Sequence, residues 1–388
     1  MSTSPSFDVS LERLRQVGGV KWSQHPDAIG AFVAEMDFGT AAPVAAAMHE
    51  AVDQGLLGYL PDRLAARLGQ AWCGWARERH GWEVSPDRVR PIADVITGLQ
   101  VAIEHFSEPG APVIVPTPAY MPFLFVPQAL GREVIEVPMA EQDGRQVYDL
   151  DALDAAYDAG ADLLVLCNPH NPVGRVLEHA ELEAVGALVE RRGGRVFSDE
   201  IHASLVYDGH HHLPYAAVSA VTAAHTVTAV SASKAWNLPG TKCAQLVLGS
   251  DADAAVWAEV GRRYEHGASN LGVVASIAAY EEGGSWLDDV LHHLDGSRQL
   301  LADLLAEHLP EVGYRQPEGT YLAWLDCRAL GLGDHPAEFF LEHAGVAMVD
   351  GPACGEAGAG FARYNFATPQ PLIEQAVRQM AHAVRRRG

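Results

Sequence analysis

The sequence predicts an α/β protein, with a large domain around a mostly parallel sheet and a smaller α+β domain after it. Three observations carry that expectation. Short β-rich apolar runs alternate with longer helical patterns through the middle of the chain, and strands joined by crossover helices make a parallel sheet covered on both faces. The 388 residues exceed what one hydrophobic core usually supports, so two domains are expected. From about residue 276 the alternation gives way to long helices.

Taken in order, "APVIVPTPAY" (111–120) reads as a strand and then a loop, and "ADLLVLCNPHNPVG" (161–174) as a buried strand and then a turn. "HAELEAVGALVERRG" (179–193) follows with helical period, placing Leu182, Val185, Leu188 and Val189 on one face. "GRVFSDEIH" (194–202) and "HTVTAVSASK" (225–234) are further strand-then-loop units, and "CAQLVLGS" (243–250) is one more apolar run. "WLDDVLHHLDGSRQLLADLLAEHL" (286–309) and "TYLAWLDCRAL" belong to the smaller domain. The expected division is 1–45 as an N-terminal segment joining the small domain, 46–275 as the large domain and 276–388 as the small one. In parallel sheets the chemistry gathers in loops after the carboxyl ends of strands, where the polar clusters just quoted fall.

Composition narrows the class. A hydrophobic content of 48% with 20% charged residues is that of a soluble globular protein. A net charge of −23 disfavours nucleic acid and anionic lipid as partners, and no run of 18 apolar residues offers a membrane span. "MSTSPSFDVSLERL" reads as no secretory signal. Five cysteines without a CxxC point to reduced thiols in the cytoplasm.

Of 27 basic residues only Lys21, Lys234 and Lys242 are lysine, and two of these sit in "SASKAWNLPGTK" (231–242). Arginine keeps its proton, whereas a buried lysine can become a nucleophile or base. Lys234 therefore reads as an imine-forming amine beside two phosphate-binding hydroxyls, or else as a surface lysine paired with an acid. Asp199, ending "RVFSD", suits a partner for a pyridine nitrogen, against the alternatives of a helix cap or a structural ion pair. "CNPHNPVGR" (167–175) makes a sharp turn that holds Asn171 as a donor to a phenolate oxygen. Arg363 lies in the apolar run "GFARYNFA" (360–367), where it needs either a substrate carboxylate or an internal acid. His210, His211 and His212, adjacent in a loop, read as solvated rather than metal-binding, and no metal is expected.

With these residues in place, the sequence resembles the fold-type I pyridoxal phosphate (PLP) enzymes, specifically the MalY/PatB-type C–S lyases (cystathionine β-lyases) of the class I/II aminotransferase superfamily. The likeness runs from "VKW" (20–22) through "VAEMDF" (33–38), "GY" (58–59), "PAYMPF" (118–123), "LCNPHNPVGR", "SDEIH", "SASKAWNLPG" and "GTYLAWLD" to "RYNFATP" (363–369). "DEIH" sets this branch apart from ordinary aminotransferases, which more often carry Tyr where His202 stands. The resemblance implies the fold-type I PLP-transferase architecture, with a mostly parallel seven-stranded sheet in the large domain.

It further implies that Lys234 is the Schiff-base lysine, Asp199 the partner of the ring nitrogen and Asn171 the ligand of the phenolic oxygen. Tyr120 and Ile201 would cover the two ring faces, with His202 close by as a hydrogen-bonding or simply packed residue. Ser231, Ser233 and the backbone N–H groups of Val95 and Ile96 would hold the phosphate. Arg363 and Asn365 would bind the carboxylate of a small amino-acid substrate. Tyr59 would reach the phosphate of a neighbouring subunit, making the site a property of a homodimer. The implied reaction is β-elimination from L-cystathionine or another L-cysteine S-conjugate, giving a thiol, pyruvate and ammonia, with Lys234 as base. An aminotransferase, a specialised or decarboxylating enzyme of secondary metabolism, and a regulatory binding protein are the alternatives on this scaffold.

Two positions depart from the family pattern. Asp94-Val95-Ile96 stands where Gly-Val-Val is frequent, bringing an acid close to the phosphate. Cys354 in "DGPACG" replaces a common aromatic, which implies a roomier substrate pocket rather than a catalytic thiol. Lys242 reads either as a supporting charge near the phosphate or as a structural residue.

Overall fold

Seven short apolar runs form the central sheet of the computed structural model, which describes residues 7–387. The first residues of the stretch expected to lack a secretory signal, 1–6, lie outside the described residues. The spatial strand order is Val89–Ile92, Ala244–Leu248, Thr226–Val230, Arg195–Asp199, Leu163–Cys167, Val113–Thr117 and Val134–Pro138. All seven run parallel except Ala244–Leu248, which is antiparallel to both neighbours.

The strand Leu163–Cys167 shows why its run is apolar throughout rather than alternating. Leu163, Val165 and Cys167 pack into one core with the helix Val95–His105, while Leu164 and Leu166 pack into another with the helix His179–Arg192. Both faces are covered, so every position must be hydrophobic. Leu182, Val185, Leu188 and Val189 are buried together, as the helical period predicts.

The smaller unit is an antiparallel sheet in the order Gly313–Tyr314, Leu322–Asp326, Phe361–Asn365, Val349–Asp350. The helix Gly284–His308, a single unbroken element, packs with Gln370–Arg387 beside it. Ile29–Gly30 pairs with Val346–Ala347, so the N-terminal segment adds a strand pair at this end. The two expected domain junctions fall inside helices, residue 45 within Ala42–Asp53 and residue 275 within Asn270–Glu282. We propose to set them at Ala41, just before the first of these helices, and at Gly283, the single residue between Asn270–Glu282 and Gly284–His308. Among the described residues no helix is long and apolar enough to cross a membrane.

Candidate active site

Five of the sheet's loops converge on one cavity of ≈ 390 Å³. Each leaves the carboxyl end of a parallel strand: Asp94–Ile96 after Ile92, Tyr120 after Thr117, Asn171 after Cys167, Ile201 and His202 after Asp199, and Ser231–Lys234 after Val230. Parallel strands end on the same edge, so residues far apart in sequence are brought together there.

Lys234 Nζ donates to the Ala34 carbonyl at 2.7 Å. Burial, reinforced by the Arg363 charge, pulls its pKa down to about 8, against the opposing pull of Asp199 and Glu35. Asp199 is buried and accepts one hydrogen bond from the Ile201 N–H at 3.0 Å. Burial raises its pKa to about 7, because among the described residues no cation pairs with it. A carboxylate in this state is suited to a cationic N–H brought in by a ligand.

Arg363 is 2% exposed. It donates to Asn171 Oδ1 at 3.0 Å and to the Phe32 carbonyl at 2.8 Å, and its Nε is buried without a partner. Among the described residues no carboxylate pairs with it, which removes the internal-acid alternative. With Asn171 Oδ1 committed to Arg363, the Asn171 amide N–H₂ is left to donate into the cavity. Tyr120 stands over the cavity edge-on to Phe123, with ring centroids 5.4 Å apart. His202 is buried, and burial drives its pKa well down, so the ring is neutral; its Nδ1 lacks a partner.

At the other end of the cavity begins the helix Val95–His105, whose first N–H groups, on Val95 and Ile96, have no intrahelical partner. Asp94 caps it, its Oδ1 accepting from Thr97 N at 2.9 Å, while Oδ2 pairs with Lys242 Nζ at 2.9 Å. This resolves the apparent conflict of an acid beside a phosphate site, because the Asp94 charge is already spent on a helix cap and a lysine. Ser233 Oγ makes no hydrogen bond to a described residue. Ser231 Oγ donates to the Cys243 carbonyl at 2.7 Å and accepts from Ser233 N, so its single proton is committed within the loop. The donors, the unpartnered Asp199 and the cavity volume together fit PLP.

Several expected residues are placed differently. Asn365 is fully buried, with Nδ2 donating to the carbonyls of Val33 (2.6 Å) and Glu35 (2.7 Å), so no donor remains for a substrate. Tyr59, expected at a neighbouring subunit's site rather than its own, is 91% exposed and does not line the cavity of its own chain, a placement compatible with that expectation. Cys354 is buried among Trp324 and Val349, outside the cavity lining, and burial pushes its thiol up to about 11. The histidine run is not wholly solvated as expected. His212 is buried, its Nε2 2.9 Å from Glu200 Oε2, because the residue after Asp199 points away from the cavity and needs a partner of its own.

The sequence reading passed over the part played by residues 32–37, which run as a strap across the site. Four of their carbonyls take donors from functional or buried side chains: Phe32 from Arg363, Ala34 from Lys234 and from the Tyr321 hydroxyl (2.9 Å), and Val33 and Glu35 from Asn365. Backbone acceptors leave no mark on residue identity, which is why "VAEMDF" carried resemblance but no chemistry.

The family model for aminotransferase class I and II matches residues 32–380. The chain is 37% identical to the cystathionine beta-lyase of Corynebacterium glutamicum, covering 96% of this chain and 98% of that protein. It is 33% identical to cystathionine beta-lyase PatB of Bacillus subtilis, over 98% of this chain and the whole of the relative. Among solved structures, the PLP-bound C-S lyase from Staphylococcus hominis superposes with a TM-score of 0.90 at 27% identity, covering 98% of each chain. Fold, cavity and sequence therefore agree that the chain belongs to the aminotransferase class I and II family.

Proposed function

We propose that this chain is a PLP-dependent carbon–sulfur lyase, cleaving L-cystathionine or another L-cysteine S-conjugate by β-elimination to a thiol, pyruvate and ammonia. One observation carries the reading: an amine of lowered pKa and a buried carboxylate without a cation line one cavity, and a buried guanidinium without an acid bonds Asn171 in its wall. The full-length likeness to cystathionine beta-lyases supports the choice of reaction.

Bound PLP supplies an electron sink for charge developing at the substrate Cα, most effective with its ring nitrogen protonated. Asp199 holds that proton on the nitrogen. Asn171 Nδ2 would donate to the phenolic oxygen, Tyr120 and Ile201 would cover the ring faces, and Val95 N–H, Ile96 N–H and Ser233 Oγ would hold the phosphate. Arg363 takes the substrate α-carboxylate through parallel N–H donors, which fixes the Cα–H bond relative to Lys234. Lys234 Nζ, partly neutral near neutral pH, removes the Cα proton. The C–S bonding pair leaves with sulfur, which takes up a proton to become the thiol, and water completes the conversion of the remainder to pyruvate and ammonia.

In the same reading the chain works in the cytoplasm, supported by five cysteines that are all unpaired. It acts as a homodimer in which exposed Tyr59 serves the neighbouring site. The test is incubation of the holoenzyme with L-cystathionine and no added 2-oxo acid. Equal yields of pyruvate and thiol are expected, whereas product that appears only with a 2-oxo acid would replace this reading with an aminotransferase.

A further inference from the structure

Lys21, the third lysine, is fully buried and far from Lys234 in sequence. Its Nζ pairs with Asp37 Oδ2 at 2.8 Å, and the second Asp37 oxygen accepts from Trp22 Nε1, also at 2.8 Å. Lys21 Nζ also lies 3.4 Å from the Glu35 carbonyl. A buried ion pair is costly to form, so its placement calls for a reason.

The strap gives one. Ala34 faces the active-site cavity, while Glu35, Met36 and Asp37 line a second cavity of ≈ 780 Å³. Residues 34–37 thus border two spaces, held by polar ties as well as by the packing of buried Met36 into the core. Asn237 bonds both Met36 N and Met36 O, Asn365 bonds the Val33 and Glu35 carbonyls, and Lys21–Asp37 anchors the end. What the strap presents inward is the Ala34 carbonyl that receives Lys234 Nζ.

We propose that Lys21 and Asp37 are positioning residues for proton abstraction, holding the Ala34 carbonyl where it orients the Lys234 amine. A neutral amine has two N–H bonds and one lone pair. Donation of one N–H to Ala34 O fixes the direction of the lone pair, and the Cα–H proton passes to Nζ while its bonding pair stays on carbon. Loss of the ion pair lets the strap shift, and small misplacements of a base slow the step it performs. The inference rests on the lyase reading, in which Lys234 is the base.

The experiment compares PLP-loaded wild type with Lys21→Met/Asp37→Leu and with Trp22→Phe. The double variant removes both charges and so leaves none unpaired in the core. Its kcat is expected to fall about tenfold with KM changed less than about threefold, and the kinetic isotope effect with Cα-deuterated substrate to rise. Amide exchange of residues 32–37 is expected to quicken in the same variant, with or without cofactor. Trp22→Phe, which keeps the ion pair, is expected to move kcat and isotope effect the same way by a smaller factor. It carries the test by itself if the double variant does not fold. Folded variants with wild-type kcat and isotope effect would overturn the proposal. Absence of pyruvate from wild type would instead overturn the lyase reading, and the amide exchange would still report on the strap.

Discussion

Asp199 and Lys234 are opposite cases of one physical effect. Burial disfavours charge, so the carboxyl titrates high, at about 7, and the ammonium low, at about 8. Asp199 has an ordinary value of 3.8, so between that pH and about 7 the folded chain holds a proton that the unfolded chain has released. Stability of the cofactor-free protein therefore falls as pH rises through this window and levels off above it. Asp199→Asn is expected to raise the thermal midpoint of the cofactor-free chain at pH 8 by roughly 5 °C. The same change should cut pyruvate formation by at least about 100-fold, since Asn cannot hold a ring proton in place. A calorimetric scan and a pyruvate assay check the two halves. For Lys234 the sign runs the other way for reactivity. Below pH about 8 the amine is mostly protonated, so capture of PLP by the cofactor-free protein should quicken about tenfold per pH unit and then level off, followed by absorbance at about 420 nm. Lys234→Ala should show no such band. These residues were legible in the sequence because each is a charged residue at or just after the end of a largely apolar strand, the lysine being one of only three. Asn365 entered only through the resemblance, and its acceptors are carbonyls some 330 residues away, which nothing in its local sequence announces.

At the level of elements, the helix Val95–His105 decides where the phosphate end lies. Gly98 sets its depth: a Cβ there would sit 3.2–3.3 Å from Ile92 Cδ1, Ala229 Cβ and Phe197 Cε2. Gly98→Val is expected to lift the helix from the sheet, costing about 1–3 kcal/mol, and to weaken PLP binding. Denaturant titration and cofactor titration measure those two effects separately. Asp94→Asn keeps the cap and frees Lys242, so PLP affinity should rise several-fold with little change in stability. The strands themselves were readable as apolar runs, but the direction of Ala244–Leu248 was not. A buried run of four apolar residues and one glutamine looks the same whichever way the strand points. The Glu200–His212 pair was hidden for a related reason, since a loop's path back onto the sheet is set by tertiary packing.

For the whole molecule, the question is whether one chain makes a complete site. Tyr59 stands clear of its own cavity, and Leu57, Phe125 and Val52 are likewise exposed. If the proposed homodimer shares Tyr59 across subunits, mixing inactive Tyr59→Ala chains with inactive Lys234→Ala chains should restore about a quarter of wild-type activity per site. Half the dimers are then mixed, and each holds one site with both residues. No recovery after subunit exchange, verified by mass, would mean that each chain serves itself. The fold class and the two-unit layout were visible in the alternation of runs, whereas Tyr59 entered only through resemblance, since an exposed aromatic in a loop carries no period.

The strap also bears on how the protein comes into being. Phe32 waits 331 residues for the guanidinium it holds, and Ile29–Gly30 pairs with Val346–Ala347. On the ribosome the large domain can close around its sheet while the chain is still growing, as N-terminal units generally do. The strap that carries the Ala34 carbonyl has no Asn365 or Arg363 to rest on until the final strand emerges. A nascent chain halted before Phe361 would thus hold Lys234, Asp199 and the helix Val95–His105, yet lack the guanidinium and the amide that tie the strap in place.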